Sequence, residues 1–275
     1  QAMKQSDRYY WLHREGKSDK EIRKIFDEKR KMRVFTWNGP DTITMSSWDS
    51  LLYYKRFLNA GMVSVEPGTG YVRAYVGGIN YRYFKYDNVQ SHRQVGSTFK
   101  PYVYCGMFLN RKEITPEHML ANVEYSFDNP GGTPPFYTPR FSKSSRDGEM
   151  ISLKTGLALS LNQISAWCMK STDPKTIINF VHRMGIISPI EPVPSICVGA
   201  VELKIKEMVS AYCAFPNKGQ STSPIFVTEI RDKNGNQVAT FSTTHKEAIP
   251  EITAYKMVEM LRGVTHGGTA SRLTA

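Results

Sequence analysis

The run Tyr102-Val103-Tyr104-Cys105-Gly106-Met107-Phe108-Leu109 is apolar on nearly every side of a helix. A helix without a polar face belongs in the centre of a domain. Around it the pattern is shorter-ranged. Residues 62–66 alternate apolar and small side chains and residues 71–76 are strand formers, with the turn signal Pro67-Gly68-Thr69-Gly70 between them; this predicts a β-hairpin that Gly77-Gly78 ends. Helical spacing recurs over 151–170, where Leu153, Leu157, Leu159, Ile164 and Trp167 are apolar, and over 174–184, 201–215 and 252–264. Lys218-Gly219 stops the third of these and His266-Gly267-Gly268 the last. Residues 226–230 and 237–241 flank Asn234-Gly235, the signature of a second hairpin.

The segments between these elements are polar. Residues 1–61 are charged and aromatic, with a helix predicted from Ser18-Asp19-Lys20-Glu21 to about residue 30, a strand over 33–37, a turn at Asn38-Gly39-Pro40-Asp41 and a helix over 45–58 capped by Ser46 or Ser47. This stretch has few aliphatic residues for a core of its own and reads as a connector preceding a domain of residues 62–275. Residues 80–93 are polar and tyrosine-rich. Residues 110–150, with Pro130-Gly131-Gly132 and Pro134-Pro135, read as a long excursion of loops over one side of a cleft.

Composition narrows the class. A chain of 275 residues can bury a sizeable core. The formal net charge of +11 is compatible with an anionic surface or glycan as partner. The Lys and Arg are dispersed, however, and no nucleic-acid motif is present, so nucleic acid is not expected. Cys105, Cys168, Cys197 and Cys213 have no metal or redox spacing. Three of them sit in apolar helical contexts that predict buried thiols, and an even count leaves disulfides open. The six histidines form no ligand pair, and no metal is assigned. No apolar run is long enough to span a bilayer, and Gln1-Ala2-Met3-Lys4 is not a signal peptide. Either a cytoplasmic protein or one relieved of an upstream export and anchor segment is expected.

At the mouth of the buried helix stand Ser97 and Lys100 in Gly96-Ser97-Thr98-Phe99-Lys100-Pro101. Positions i and i+3 share a helix face, so hydroxyl and amine can meet. A serine hydroxyl needs an adjacent base to act as a nucleophile. A lysine serves as that base when burial or the positive end of a helix lowers its pKa. Pro101 suits the first turn, where a missing N–H costs least. About one such Ser-x-x-Lys is expected by chance in a chain of this length, so the motif gains weight only from a second element.

That element is Ser160-Leu161-Asn162, the only Ser-x-Asn in the chain. By itself it reads as a break between helices. Ser-x-x-Lys followed by Ser-x-Asn some sixty residues later is the order of the penicillin-interacting serine enzymes. Residues 71–78 (Tyr71-Val72-Arg73-Ala74-Tyr75-Val76-Gly77-Gly78) and 93–104 (Arg93-Gln94-Val95-Gly96-Ser97-Thr98 to Tyr104) resemble the transpeptidase domain of class A penicillin-binding proteins, with Val95 where the family usually has Pro. Thr265-His266-Gly267-Gly268-Thr269-Ala270 resembles the family's Gly-Thr segment, and residues 1–61 resemble the linker after its glycosyltransferase domain.

The resemblance implies an α+β fold, an antiparallel sheet with flanking helices plus a helical layer. It implies a DD-transpeptidase on the periplasmic face of the bacterial inner membrane that cross-links peptidoglycan stem peptides ending in D-Ala-D-Ala and is acylated by β-lactam antibiotics. By position, Ser97 attacks the penultimate carbonyl, Lys100 takes its proton, Ser160 relays it to the leaving amine, and Asn162 orients Lys100 and the substrate peptide. No cofactor is implied. A glycosyltransferase domain and a membrane anchor are expected upstream.

The family also requires a Lys-Thr-Gly strand whose neighbouring N–H completes the oxyanion hole with that of Ser97. Lys154-Thr155-Gly156 precedes Ser160 and lies in an apolar run better read as helix, so it is rejected. The true element is expected after Ala275, which leaves the fold incomplete at its C-terminus as read. Two alternatives stay open: a sensor or scaffold that keeps the fold, and a serine β-lactamase, for which no deacylating glutamate can be placed.

Overall fold

Serine caps fix where the first helices begin. Ser6 accepts from the N–H of Tyr9 at the head of α1 (Asp7–Arg14), and Ser18 with Glu21 forms a capping box on α2 (Asp19–Asp27). The chain then runs through β1 (Lys29–Val34), turns at Gly39, whose φ is +110°, and returns as β2 (Asp41–Ser46) in unbroken antiparallel register. Ser46 ends β2 and caps α3 (Ser47–Lys55), so the helix expected over 45–58 starts two residues later than predicted because Met45 belongs to the strand. The computed structural model describes residues 1–128, 133–141 and 146–273; Pro130-Gly131-Gly132 lie outside them. It divides into two compact units, residues 1–61 with 77–88, and residues 62–76 with 89–275.

The first unit buries Ile22, Phe26, Val34, Phe35 and Met45. Phe35, Trp37, Phe57 and Phe84 add an aromatic cluster with centroids 5.3–6.0 Å apart, three of its four rings meeting Phe35 edge-on. The sequence reading found too few apolar residues here because it weighed aliphatic side chains; the aromatics make up the difference.

In the second unit the first hairpin forms where predicted, β3 (Met62–Val65) against β4 (Val72–Val76). Next come β5 (His92–Gln94), a 3-10 turn at Gly96–Phe99, and the central helix α4 (Lys100–Asn110). The loop-rich region carries short strands, β6 (Met119–Ala121), β7 (Phe127–Asp128), β8 (Phe136–Tyr137) and β9 (Met150–Ser152). Residues 151–170 contain two helices, α5 (Leu153–Ala158) and α6 (Asn162–Lys170), followed by α7 (Pro174–Arg183). Then follow β10 (Glu202–Lys204), α8 (Ile205–Cys213), β11 (Gln220–Thr222), the hairpin β12 (Glu229–Arg231) and β13 (Gln237–Thr240), β14 (His245–Glu247) and α9 (Glu251–Thr265). Among the described residues every sheet is a two-stranded antiparallel pair. Residues 201–204, expected to open a helix, instead pair with β5, which the sequence reading left as loop.

Everything in this unit packs around α4. Residues 100–108 are all buried, and α6, α7 and α9 lie against the helix. Tyr102 donates to the carbonyl of Met208 in α8 (3.2 Å), and Gly106 lets α7 approach so closely that a Cβ there would stand 2.7 Å from Ile177 Cγ1. The Tyr104 hydroxyl is buried with no partner among the described residues.

Two substitutions in α4 should therefore act in opposite directions. Gly106→Ala should lower unfolding stability by about 1–3 kcal/mol through overpacking. Tyr104→Phe should raise it by about 1 kcal/mol by removing an unpaired buried hydroxyl. Urea denaturation of both variants checks the pair.

Candidate active site

Lys100 is the first residue of α4 and is 0% exposed. Its amine ends among three oxygens: the Ser160 carbonyl at 2.5 Å, Asn162 Oδ1 at 2.6 Å and Ser160 Oγ at 3.1 Å. Three donors on the ammonium thus meet three acceptors from one short loop. Burial pushes the Lys100 pKa down from 10.5 to about 8, against the opposing influence of Cys197. The same burial lifts the Cys197 thiol to about 12, so it stays protonated at neutral pH. All four cysteines are free and buried.

The acceptor loop is built by the way α5 stops. The Ser160 N–H donates to Leu157 O and the Leu161 N–H donates to Gly156 O, both at 2.9 Å. This is a Schellman motif, in which the residue after the cap adopts the left-handed conformation and is usually glycine. Here that residue is Ser160, with φ +56°. The left-handed turn aims both the carbonyl and the hydroxyl of Ser160 at Lys100. A non-glycine residue held in this region costs on the order of 1–3 kcal/mol and marks sites where geometry serves chemistry. Two residues on, Asn162 opens α6, and its Nδ2 donates to the Arg140 carbonyl (2.7 Å), which fixes the amide so that Oδ1 faces the lysine.

Ser97 lies in the 3-10 turn that feeds α4 and is exposed. The Lys100 N–H donates to the Ser97 carbonyl, so the two residues are one 3-10 turn apart, where positions i and i+3 eclipse. Among the described residues no hydrogen bond joins Ser97 Oγ to Lys100 Nζ. The structure therefore brings Lys100, Ser160 and Asn162 into direct contact and places Ser97 on the same face, one turn nearer solvent. The turn itself is tied down: Tyr212 Oη donates to Thr98 O and Thr98 Oγ1 donates to Val95 O, both at 2.6 Å, and the Gly96 N–H donates to Gly199 O at 3.1 Å.

Two positions contribute that sequence reasoning missed. Gly199 has φ +76°, and a Cβ there would fall 1.7 Å from Gly96 O, so only glycine lets this segment lie against the residue before Ser97. Arg140 acts through its backbone, which no side-chain pattern reveals. The Gly-Thr segment also acquires a place. Thr269 N–H donates to Ala158 O (3.0 Å), and a Cβ on Gly268 would stand 2.4 Å from that oxygen, so the segment seats on the last turn of α5. Lys154-Thr155-Gly156 is helical, within α5. Among the described residues no cluster of His, Cys, Asp and Glu could hold a metal ion, and no helix is long and apolar enough to cross a membrane.

With this geometry in hand, similarity to known proteins is informative. Residues 1–58 match the model of the penicillin-binding protein middle domain. The chain is 28% identical over 211 residues to penicillin-binding protein 1F of Bacillus subtilis, covering 76% of this chain and 28% of that protein. It is 31% identical over 179 residues to penicillin-binding protein 1A of Rickettsia felis, covering 65% of this chain and 22% of the relative. The crystal structure of penicillin-binding protein 1A from Haemophilus influenzae superposes with a TM-score of 0.71 at 22% identity, over 78% of this chain and 37% of that one. The homologues are class A penicillin-binding proteins, the structural neighbours are penicillin-binding transpeptidase domains, and the chain spans less than a third of the length of these two curated relatives.

The strain at Ser160 gives a test. Ser160→Gly should raise unfolding stability by up to about 1 kcal/mol by relieving the left-handed backbone, while removing one of the three acceptors of Lys100. Thermal denaturation should show this gain, and Ser160→Ala, which keeps the strain, should not.

Proposed function

We propose that this chain, a homologue of the class A penicillin-binding proteins, carries the nucleophile and base of a peptidoglycan DD-transpeptidase. The observation that carries this reading is the buried amine of Lys100 held by Ser160 and Asn162, one turn from an exposed serine. In this scheme Ser97 Oγ attacks the carbonyl of the penultimate D-Ala of a stem peptide. Its proton passes to the neutral amine of Lys100, and the C–N bond to the terminal D-Ala breaks as Ser160 delivers a proton to the departing amine. The acyl-enzyme ester is then attacked by an amine of a neighbouring stem peptide, which forms the cross-link and frees Ser97. A penicillin enters by the same first step, its β-lactam C–N bond opening to leave an ester on Ser97.

Charge bookkeeping supports lysine as the base. With a midpoint of about 8, roughly one amine in ten is neutral at pH 7. An unperturbed lysine at 10.5 would offer several hundred-fold less. Asn162 and Ser160 keep the amine oriented whether or not it carries its third proton, since each is an acceptor and Ser160 Oγ can also donate. The reading places the chain at the cell envelope, on the periplasmic face of the bacterial inner membrane, joined in the whole protein to a glycosyltransferase domain and an anchor. The sensor-like and β-lactamase alternatives share the acylation step and differ after it.

The test is intact-mass analysis with a labelled penicillin followed by peptide mapping. One adduct on Ser97, absent from Ser97→Ala and slowed by at least 10²-fold in Lys100→Ala, is expected. The second-order acylation rate should rise about tenfold per pH unit below pH 8 and level off above it, as Lys100 loses its proton. An adduct elsewhere, or none on the folded chain, contradicts the proposal; rapid release of hydrolysed penicillin favours a β-lactamase.

A further inference from the structure

In the first unit two guanidinium groups converge on one hydroxyl. Arg8 Nη1 donates to Ser47 Oγ at 2.5 Å, and Arg30 Nη2 donates to the same oxygen at 3.0 Å. Ser47 is 6% exposed. Its oxygen has two lone pairs, both now engaged, so its proton is left to donate elsewhere.

No carboxylate answers the two cations. Among the described residues neither arginine takes part in an ion pair. Nearby acids are committed: Asp49 accepts from the N–H and hydroxyl of Ser46, and Asp27 pairs with Arg23. Arg8 also lies over the Phe26 ring, 5.5 Å from its centroid, which holds its guanidinium in place. Two like charges held against a neutral dipole repel each other, and an anion between them would relieve that repulsion.

The groups edge a cavity of about 340 Å³ whose apolar lining includes Phe26, Met32 and Leu51. Ser47 is the first residue of α3, so the positive end of that helix adds to the potential. Two forked cations and a hydroxyl donor suit a tetrahedral oxyanion, which accepts from all three at once, better than a carboxylate, which one arginine already satisfies with two parallel bonds.

We propose that this cavity binds a phosphate-type oxyanion through Arg8, Arg30 and the Ser47 hydroxyl. The anion is either free phosphate or the phosphate of a lipid headgroup, whose apolar remainder would follow the lining of Phe26, Met32 and Leu51. This site is independent of the chemistry at Lys100.

The experiment uses the full chain at constant ionic strength with chloride as the background anion. Inorganic phosphate is titrated by calorimetry, and vesicles of phosphatidylcholine with phosphatidylglycerol are tested by co-sedimentation. Saturable one-to-one phosphate binding is expected, weakened at least tenfold in Arg30→Gln and in Arg8→Gln. Arg30 is exposed, so Arg30→Gln should keep the native circular dichroism and decides the matter alone if Arg8→Gln does not fold. Vesicle binding that inorganic phosphate displaces, and that Arg30→Gln loses, identifies a lipid headgroup; phosphate binding without vesicle binding identifies the free anion. The proposal is overturned if neither probe binds the wild-type chain saturably, or if folded Arg30→Gln binds both as well as wild type does.

Discussion

A lysine amine withheld from water by an all-apolar helix is the constraint on which the second unit depends. Residues 100–108 are buried on every side, so Lys100 at their head cannot reach solvent as surface lysines do. Its charge has to be met from within the protein, and the Ser160–Asn162 loop meets it with two side-chain oxygens and one carbonyl. The same confinement that makes the cation costly brings its pKa to about 8. The folded chain therefore holds this proton less tightly than the unfolded chain does. The penalty weighs on the fold in full below pH 8 and is lost as pH rises from there towards 10.5. Stability is thus given up near neutrality to keep an amine that can accept a proton.

The supports around the amine follow one logic, close approach of backbone to backbone. Gly199 touches Gly96 just before Ser97, and Gly268 touches Ala158 just before the loop that bears Ser160. Each contact admits no side chain, so the two catalytic segments are pinned from behind by positions whose only requirement is the absence of a Cβ. Ser160 breaks this rule. It holds a left-handed position where glycine would be unstrained, because the hydroxyl is needed there.

Much of this was legible in the sequence, and what was legible had a local cause. The central helix showed as an unbroken apolar run, the first hairpin as a turn signal between strand formers, and α2 as a capping box at Ser18. The pairing of Ser-x-x-Lys with Ser-x-Asn pointed to residues that the fold brings together at Lys100, Ser160 and Asn162. What escaped was non-local or lay in the backbone. The pairing of β5 with β10 joins segments more than a hundred residues apart, each only three residues long. The break between α5 and α6 is a left-handed turn that periodicity, blurred by apolar residues on both sides, reads as one helix. The Arg140 carbonyl and the Gly199 approach depend on chain path, which no residue type records.

The most direct measurement is a pH titration of Lys100 itself, with lysine side chains labelled at Cε and Nζ and the Lys100 resonance assigned by its loss in Lys100→Arg. The account predicts a midpoint near pH 8, moving when Asn162 is replaced by Asp, whose carboxylate would raise it. A Lys100 midpoint near the ordinary 10.5, insensitive to residue 162, would contradict it.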